Sequence, residues 1–265
     1  MNYQLAISKI FKVNSKHIKM YFALLKQQGL SEIYINSILK CLRAFFKYCI
    51  GEEYIENNPC LKVSWSKEKK VIIKTFNDDE VVNMLNYYTF SNFLSTRNKT
   101  ILACFLDTGI RNLELYTIRN EDIKERYIII HGKGNKERYV PITPLLKKYM
   151  IKYERIKDIY FRDKFNIEDY YFLSRTGKKM TVEANENILR KAGKKANIRL
   201  EIRCSTHTCR HYYAQAQLRN GLDVYSLSRL LGHENISITK RYLQSLKDED
   251  IVEMSTKTSP LMNLK

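Results

Sequence analysis

YIIIHGKGNKERYVPI, residues 127–142, is the stretch from which the fold can be read. Tyr127–His131 and Arg138–Ile142 are rich in β-branched and aromatic residues, and Gly132-Lys133-Gly134-Asn135 between them is strong turn chemistry. The stretch therefore predicts a β-hairpin. On both sides of it the pattern turns helical. Upstream, a helix is expected from about Thr96 to Thr108, ended by Gly109, with another begun over Arg111 to Ile118. Downstream, Thr143-Pro144 reads as an N-cap and first turn. Further helices are expected over 144–160, 182–197, 208–219, 223–231 and 236–245, with Gly221 and Gly232 at helix ends. The fold class is thus mainly α with a small antiparallel β-sheet.

Residues up to about 60 read as all-helical. Between Ser31 and Ile50, Ile35, Ile38, Leu39, Leu42, Phe45, Phe46 and Cys49 fall on one helical face. Lys40, Arg43 and Lys47 share another, a basic face that could lie on DNA or simply face water. Gly29 is expected to end the preceding helix, Ser31 to cap this one, and Asn57-Asn58-Pro59 to stop it. The polar run that follows lacks helical periodicity and reads as a linker. Asn77-Asp-Asp-Glu80 then supplies an N-cap and an acidic first turn. The expected organisation is a small helical domain over 1–61, a linker over 62–74 and a larger α+β domain over 75–265.

The formal net charge of +18 argues for a polyanionic partner, nucleic acid first and an anionic membrane surface second. The basic residues are spread along the chain, as suits a folded surface that follows a phosphate backbone. No apolar run approaches the roughly 20 residues needed to cross a bilayer, and the N-terminal stretch is too polar for a signal peptide. A cytoplasmic location is expected, with no membrane partner. The 6 cysteines form no CxxC pair and read as reduced core residues. Cys204, His207, Cys209 and His211 cluster in sequence, but their spacings do not match common zinc patterns, so no metal is expected.

Four short segments carry candidate chemistry: Thr108-Gly-Ile-Arg111-Asn-Leu-Glu114; His131-Gly-Lys133 through Arg138; Thr206-His207-Thr-Cys-Arg210-His211; and Leu231-Gly232-His233 followed by Thr239-Lys-Arg-Tyr242. Each residue alone has a plainer reading. Arg111 could pair with Glu114 on a helix surface, His233 could sit at a helix C-terminus, His207 and His211 could be buried structural histidines, and Tyr242 is one of 19 tyrosines. Order and spacing together outweigh these readings. The set resembles the tyrosine recombinase, or phage integrase, family, and especially its Xer-like members, over about residues 75–245. The Gly-Lys-Gly-Asn-Lys-Glu-Arg hairpin and the Leu-Gly-His with its spaced tyrosine are the specific parts. Leu42-Arg-Ala-Phe-Phe-Lys-Tyr and Glu56-Asn-Asn-Pro look like the family's core-binding domain.

The resemblance implies in-line attack of the Tyr242 hydroxyl on a DNA phosphodiester, leaving a 3′-phosphotyrosine and a free 5′-hydroxyl, with no metal, ATP or other cofactor. Arg111 and Arg210 would neutralise the non-bridging oxygens, since guanidinium forks match phosphate geometry. His207 would assist as donor or acid–base group, Lys133 would protonate the leaving oxygen, and His233 would donate to the phosphate. Glu114 is expected to hold Arg111 or His207 in place, and Lys136 and Arg138 are further candidates for DNA contact. The resemblance also implies a C-shaped clamp on double-stranded DNA with an inverted-repeat recombination site. It implies a homodimer on each site, a homotetramer in synapsis and strand exchange through a Holliday junction. The tail from Leu246 would form a short helix that docks on a neighbouring protomer. Two features depart from the family: Cys209 stands where an apolar residue such as leucine is usual, and the N-terminal domain is short by about one helix. The alternatives are a type IB topoisomerase-like relaxing enzyme and a non-cutting DNA-binding regulator on the same fold.

Overall fold

Asn14 starts the first helix by accepting hydrogen bonds at its side chain from the Lys16 and His17 amides. The computed structural model describes residues 12–68, 73–132 and 136–257, and the chain divides into two units, Met1–Val71 and Ile72–Lys265. In the first unit, α1 (Ser15–Gln27) and α2 (Glu32–Gly51) bury Ile18, Phe22 and Leu25 against Ile35, Leu39 and Phe46. Each fully buried aliphatic side chain there contributes about 1.5–3 kcal/mol. Ser31 caps α2 as expected.

The end of α2 differs from the expectation. Asn57-Asn58-Pro59 does not stop it; Gly51 is its last residue. Glu53 takes a left-handed φ of 58°. The Tyr54 amide then reaches back to the Cys49 carbonyl at 2.8 Å and the Glu53 amide to Ile50 at 3.0 Å, which satisfies the helix's terminal carbonyls. Asn58 instead ties the following loop to the helix. Its amide donates to the Arg43 carbonyl at 3.0 Å and its oxygen accepts from the Cys60 amide at 2.9 Å.

The stretch expected as linker is also partly structured. Cys60 and Val63 are buried in the core of the first unit. Asn36 donates to the Ser66 carbonyl at 2.9 Å and to Glu68 at 2.7 Å. The first unit therefore extends at least to Glu68. Residues 69–72 lie outside the described residues, and Ile73 already accepts from Gln215 within the second unit.

The second unit opens with α3 (Asp78–Tyr87), whose capping box joins Asn77 and Glu80. Glu80 also receives the Arg199 guanidinium at 2.9 and 3.0 Å, which holds its carboxyl down at about 2. Helix α4 (Phe93–Thr108) is buried on nearly every side, with Ile101, Leu102 and Phe105 fully enclosed. It ends at Gly109 in left-handed geometry (φ 61°), where a Cβ would collide with the Tyr213 ring. After α5 (Asn112–Thr117) and a short 3-10 turn, β1 (Tyr127–His131) pairs antiparallel with β2 (Glu137–Pro141). Ile128, Ile130 and Val140 turn into the core. Then come α6 (Pro144–Phe161), α7 (Val182–Lys195), α8 (Thr206–Arg219) and α9 (Val224–Leu231). The helix expected over 236–245 is split: α10 is Ile236–Lys240, and Arg241–Ser245 tightens to 3-10. The tail forms α11 (Asp248–Lys257), and its continuation to Lys265 lies outside the described residues.

Cys209 is fully buried and serves as a small apolar core residue. Among the described residues, no helix is long and apolar enough to cross a membrane.

Candidate active site

The end of α9 organises the site. Gly232, at φ 64°, terminates the helix and leaves the carbonyls of its last turn open. An arginine caps each of three successive carbonyls. Arg138 Nε donates to Leu230 at 2.8 Å, Arg210 Nη2 to Leu231 at 2.6 Å, and Arg111 Nη2 to Gly232 at 3.1 Å. A helix C-terminus carries partial negative charge, so it stabilises cations gathered there.

Arg210 comes from α8, which Ser205 caps. It is 4 % exposed and also donates through Nη1 to the Gly109 carbonyl at 2.7 Å. Burial, with Arg111 nearby, lowers its pKa to about 10, so it remains charged at neutral pH. Arg111 starts α5 and stays more open. Its Nη1 lies 2.9 Å from Glu114, and its own amide donates to the other Glu114 oxygen at 2.7 Å. Arg138 closes on the same carboxylate with two bonds of 2.8 and 2.6 Å. Burial pushes Glu114 up, but the two arginines outweigh it and hold the carboxyl at about 2.

His233 follows Gly232. Its Nε2 lies 2.9 Å from Arg210 Nη2, and its Nδ1 lies 2.7 Å from the Thr239 hydroxyl. Burial and the surrounding arginines lower its pKa to about 4, so the ring is neutral. An arginine can only donate, so Nε2 accepts and the proton sits on Nδ1, pointed at Thr239. Tyr242 lies on the 3-10 turn after α10 and is 4 % exposed. Its hydroxyl is 2.9 Å from Nδ1 of His211. Burial raises the phenol's pKa, and Arg210, Arg241 and Arg111 offset this only in part.

The structure therefore gathers Arg111, Arg210, His233 and Tyr242 around one helix end. His207 is exposed on α8, one turn before Arg210, and makes no hydrogen bond among the described residues. Lys133 lies outside the described residues. The hairpin that carries it closes through the Gly132 amide, which donates to the Lys136 carbonyl at 2.7 Å. Lys136 is exposed, as are Lys40 and Lys47 in the first unit. Two of the expected DNA contacts are engaged within the protein. Arg138 is consumed by Glu114 and Leu230 and presents little surface. Arg43 is half-buried, donating to the Val63 carbonyl at 2.8 Å and stacked 4.5 Å from the Trp65 ring. Glu114 holds Arg111, as one of its two expected partners, and not His207.

The sequence profile of the phage integrase family matches residues 74–249. This chain belongs to the phage integrase family. It is 31 % identical over 253 residues to the tyrosine recombinase XerC of Bacillus pumilus (strain SAFR-032), covering 94 % of this chain and 82 % of that one. It is also 31 % identical to the tyrosine recombinase XerD of Oceanobacillus iheyensis, covering 89 % of this chain and 79 % of that one. Among solved structures, the XerH recombinase bound to its palindromic difH substrate shares the fold with a TM-score of 0.73 at 18 % identity, over 93 % of this chain and 72 % of that one. The XerA recombinase does so with a TM-score of 0.59 at 23 %, over 94 % and 84 %. The tyrosine-recombinase assignment and the mainly helical fold both stand. The topoisomerase-like and non-cutting alternatives draw no support from these relatives.

Two members of the site escape a reading of the sequence. His211 reads there as structural, yet it is four residues past His207 and so on the same helical face. That spacing is the available signal. Thr239 has none: a threonine on a short helix shows nothing of the ring it bonds.

Proposed function

We propose that this protein is a site-specific DNA recombinase in which Tyr242 attacks a phosphodiester and becomes linked to its 3′ end. The observation that carries the reading is the convergence of Arg111, Arg210, His233 and Tyr242 on the C-terminus of α9. Two fixed cations beside a phenol can neutralise a scissile phosphate where its charge develops, which is work a metal does in other phosphoryl-transfer sites. Arg111 and Arg210 bind the non-bridging oxygens. His207, on the outer face of α8, adds a further donor, and Lys133 on the hairpin protonates the departing 5′-oxygen. His233 accepts from Arg210 in the resting state. To donate to a phosphate it moves its proton to Nε2 and gives up the contact with Arg210, whose freed N–H can meet the same phosphate, and Thr239 can reverse its own bond because a hydroxyl both donates and accepts.

The same reading covers the partners. Duplex DNA with an inverted-repeat site is bound by two protomers, and two such complexes form a tetramer that exchanges strands through a Holliday junction in the cytoplasm. Lys40, Lys47 and Lys136 contribute backbone contacts. The tail helix α11, which buries none of its residues and leaves Ile251 and Val252 exposed, docks on a neighbouring protomer.

The test is covalent trapping. A pool of nicked duplexes from the host replicon is incubated in EDTA with wild-type protein and with Tyr242→Phe, then run on a denaturing gel. A protein–DNA band that survives EDTA and vanishes in Tyr242→Phe is expected. Tight binding without any such band would contradict the reading.

A further inference from the structure

Attack by Tyr242 requires its hydroxyl proton to go somewhere as the oxygen bonds to phosphorus, and the arginines around it cannot take it. We propose that His211 is the proton acceptor for Tyr242. The inference rests on Tyr242 being the nucleophile. As the tyrosine O–P bond forms, the phenolic proton passes to His211 Nδ1, while the P–O5′ bond breaks and the 5′-oxygen is protonated by Lys133. On rejoining, the 5′-hydroxyl returns its proton to the neutral Lys133 amine as it attacks phosphorus, the bond to tyrosine breaks, and the phenolate recovers its proton from His211.

The geometry is direct. His211 Nδ1 is 2.9 Å from the Tyr242 hydroxyl, within proton-transfer reach, and the ring centroids are 5.6 Å apart. His207, the histidine that the family pattern puts forward, makes no hydrogen bond among the described residues. Among the described residues, the groups facing His211 are His207 and Arg210 from α8, and Arg241 and Tyr242 from the 3-10 turn. Burial and these cations hold the imidazole neutral in the free protein, with a pKa lowered to about 4. Neutral imidazole is the form able to accept. A phosphodiester entering beside Arg210 adds negative charge, which opposes those cations and makes His211 more basic when the proton is to be moved.

Single-turnover cleavage of nicked duplexes is measured between about pH 6 and 10, for wild type, His211→Ala, His211→Gln and Tyr242→Phe, with DNA binding followed by mobility shift. Glutamine keeps an acceptor near the phenol but cannot take its proton, so it separates proton acceptance from positioning. Both His211 variants are expected to bind DNA and to cleave at least about 100-fold more slowly at neutral pH. Their rates should climb by about tenfold per pH unit as hydroxide replaces the missing base, whereas wild type stays nearly flat. Wild-type rates with a flat profile in either variant would overturn the proposal, and rescue by glutamine alone would reduce His211 to a positioning residue. If wild type forms no adduct that Tyr242→Phe abolishes, the nucleophile assignment itself fails, and the inference with it.

Discussion

Arg210 spends donors on two carbonyls and on His233, but a guanidinium carries more N–H groups than these bonds use, and the remainder can meet a phosphate. Its place is that of a fixed cation: it is charged at neutral pH, and its donors are held by the Gly109 and Leu231 carbonyls and by His233. That leaves the acid role to a lysine, and Lys133 is the one the motif offers. Lys133→Ala should slow cleavage of an ordinary phosphodiester by about 10²–10⁴-fold. A substrate with sulfur at the bridging 5′ position has a leaving group that needs no proton, since thiols ionise near about 8.5. It should restore the variant to within about tenfold of wild type. Failure of the sulfur substrate to rescue would move the acid role elsewhere, with Lys136 next. Arg111, Arg210, His233 and Tyr242, which meet at one helix end, are legible in the sequence as residue types in a set order. His211 and Thr239 are not, because their importance lies in which atom they touch.

At the scale of elements, the site depends on helix ends. The last turn of α9, the left-handed Gly109 after α4, and the N-terminus of α5 meet through Arg111, Arg138, Arg210 and Glu114. Glu114 is buried beneath two guanidinium groups, and removing one partner from such a cluster leaves charge unpaired. Glu114→Gln should therefore lower the unfolding free energy by about 3 kcal/mol in a urea titration. A change under about 0.5 kcal/mol would mean the cluster does not hold these elements together. The role of Arg138 is in principle readable. Strand alternation places it on the face of Val140, and it pairs with the buried Ile130 across the hairpin. A basic residue beside a lysine-rich turn looks like a DNA contact when composition is weighed above the period of the strand.

For the molecule as a whole, the half-buried histidines and the buried carboxylates set the response to acid. His211 and His233 sit at about 4 in the fold, against roughly 6.5 in an unfolded chain. Between those values the unfolded state binds more protons, so stability should fall as pH drops from about 6.5 towards 4. Glu80 and Glu114, held at about 2, add a second loss as pH falls below roughly 4.3. Melting temperature followed against pH should show both limbs. The double variant His211→Gln, His233→Gln should flatten the upper one; an unchanged slope there would contradict the half-buried neutral histidines. Helices with caps and periodic apolar faces, and the pairing of the two hairpin strands, are legible at this scale. The end of α2 and the packed part of the linker are not. A left-handed Glu53 and hydrogen bonds from Asn36 to Ser66 and Glu68 are tertiary facts with no local sequence mark.

The most direct measurement is to digest the covalent protein–DNA adduct with nuclease and trypsin and to find the modified residue by mass spectrometry. The expected product is the peptide from Tyr242 to Lys247 carrying a nucleotide joined through its 3′-phosphate to the Tyr242 oxygen. A nucleotide on any other residue, or one joined through a 5′-phosphate, would contradict the assignment of Tyr242 as the nucleophile.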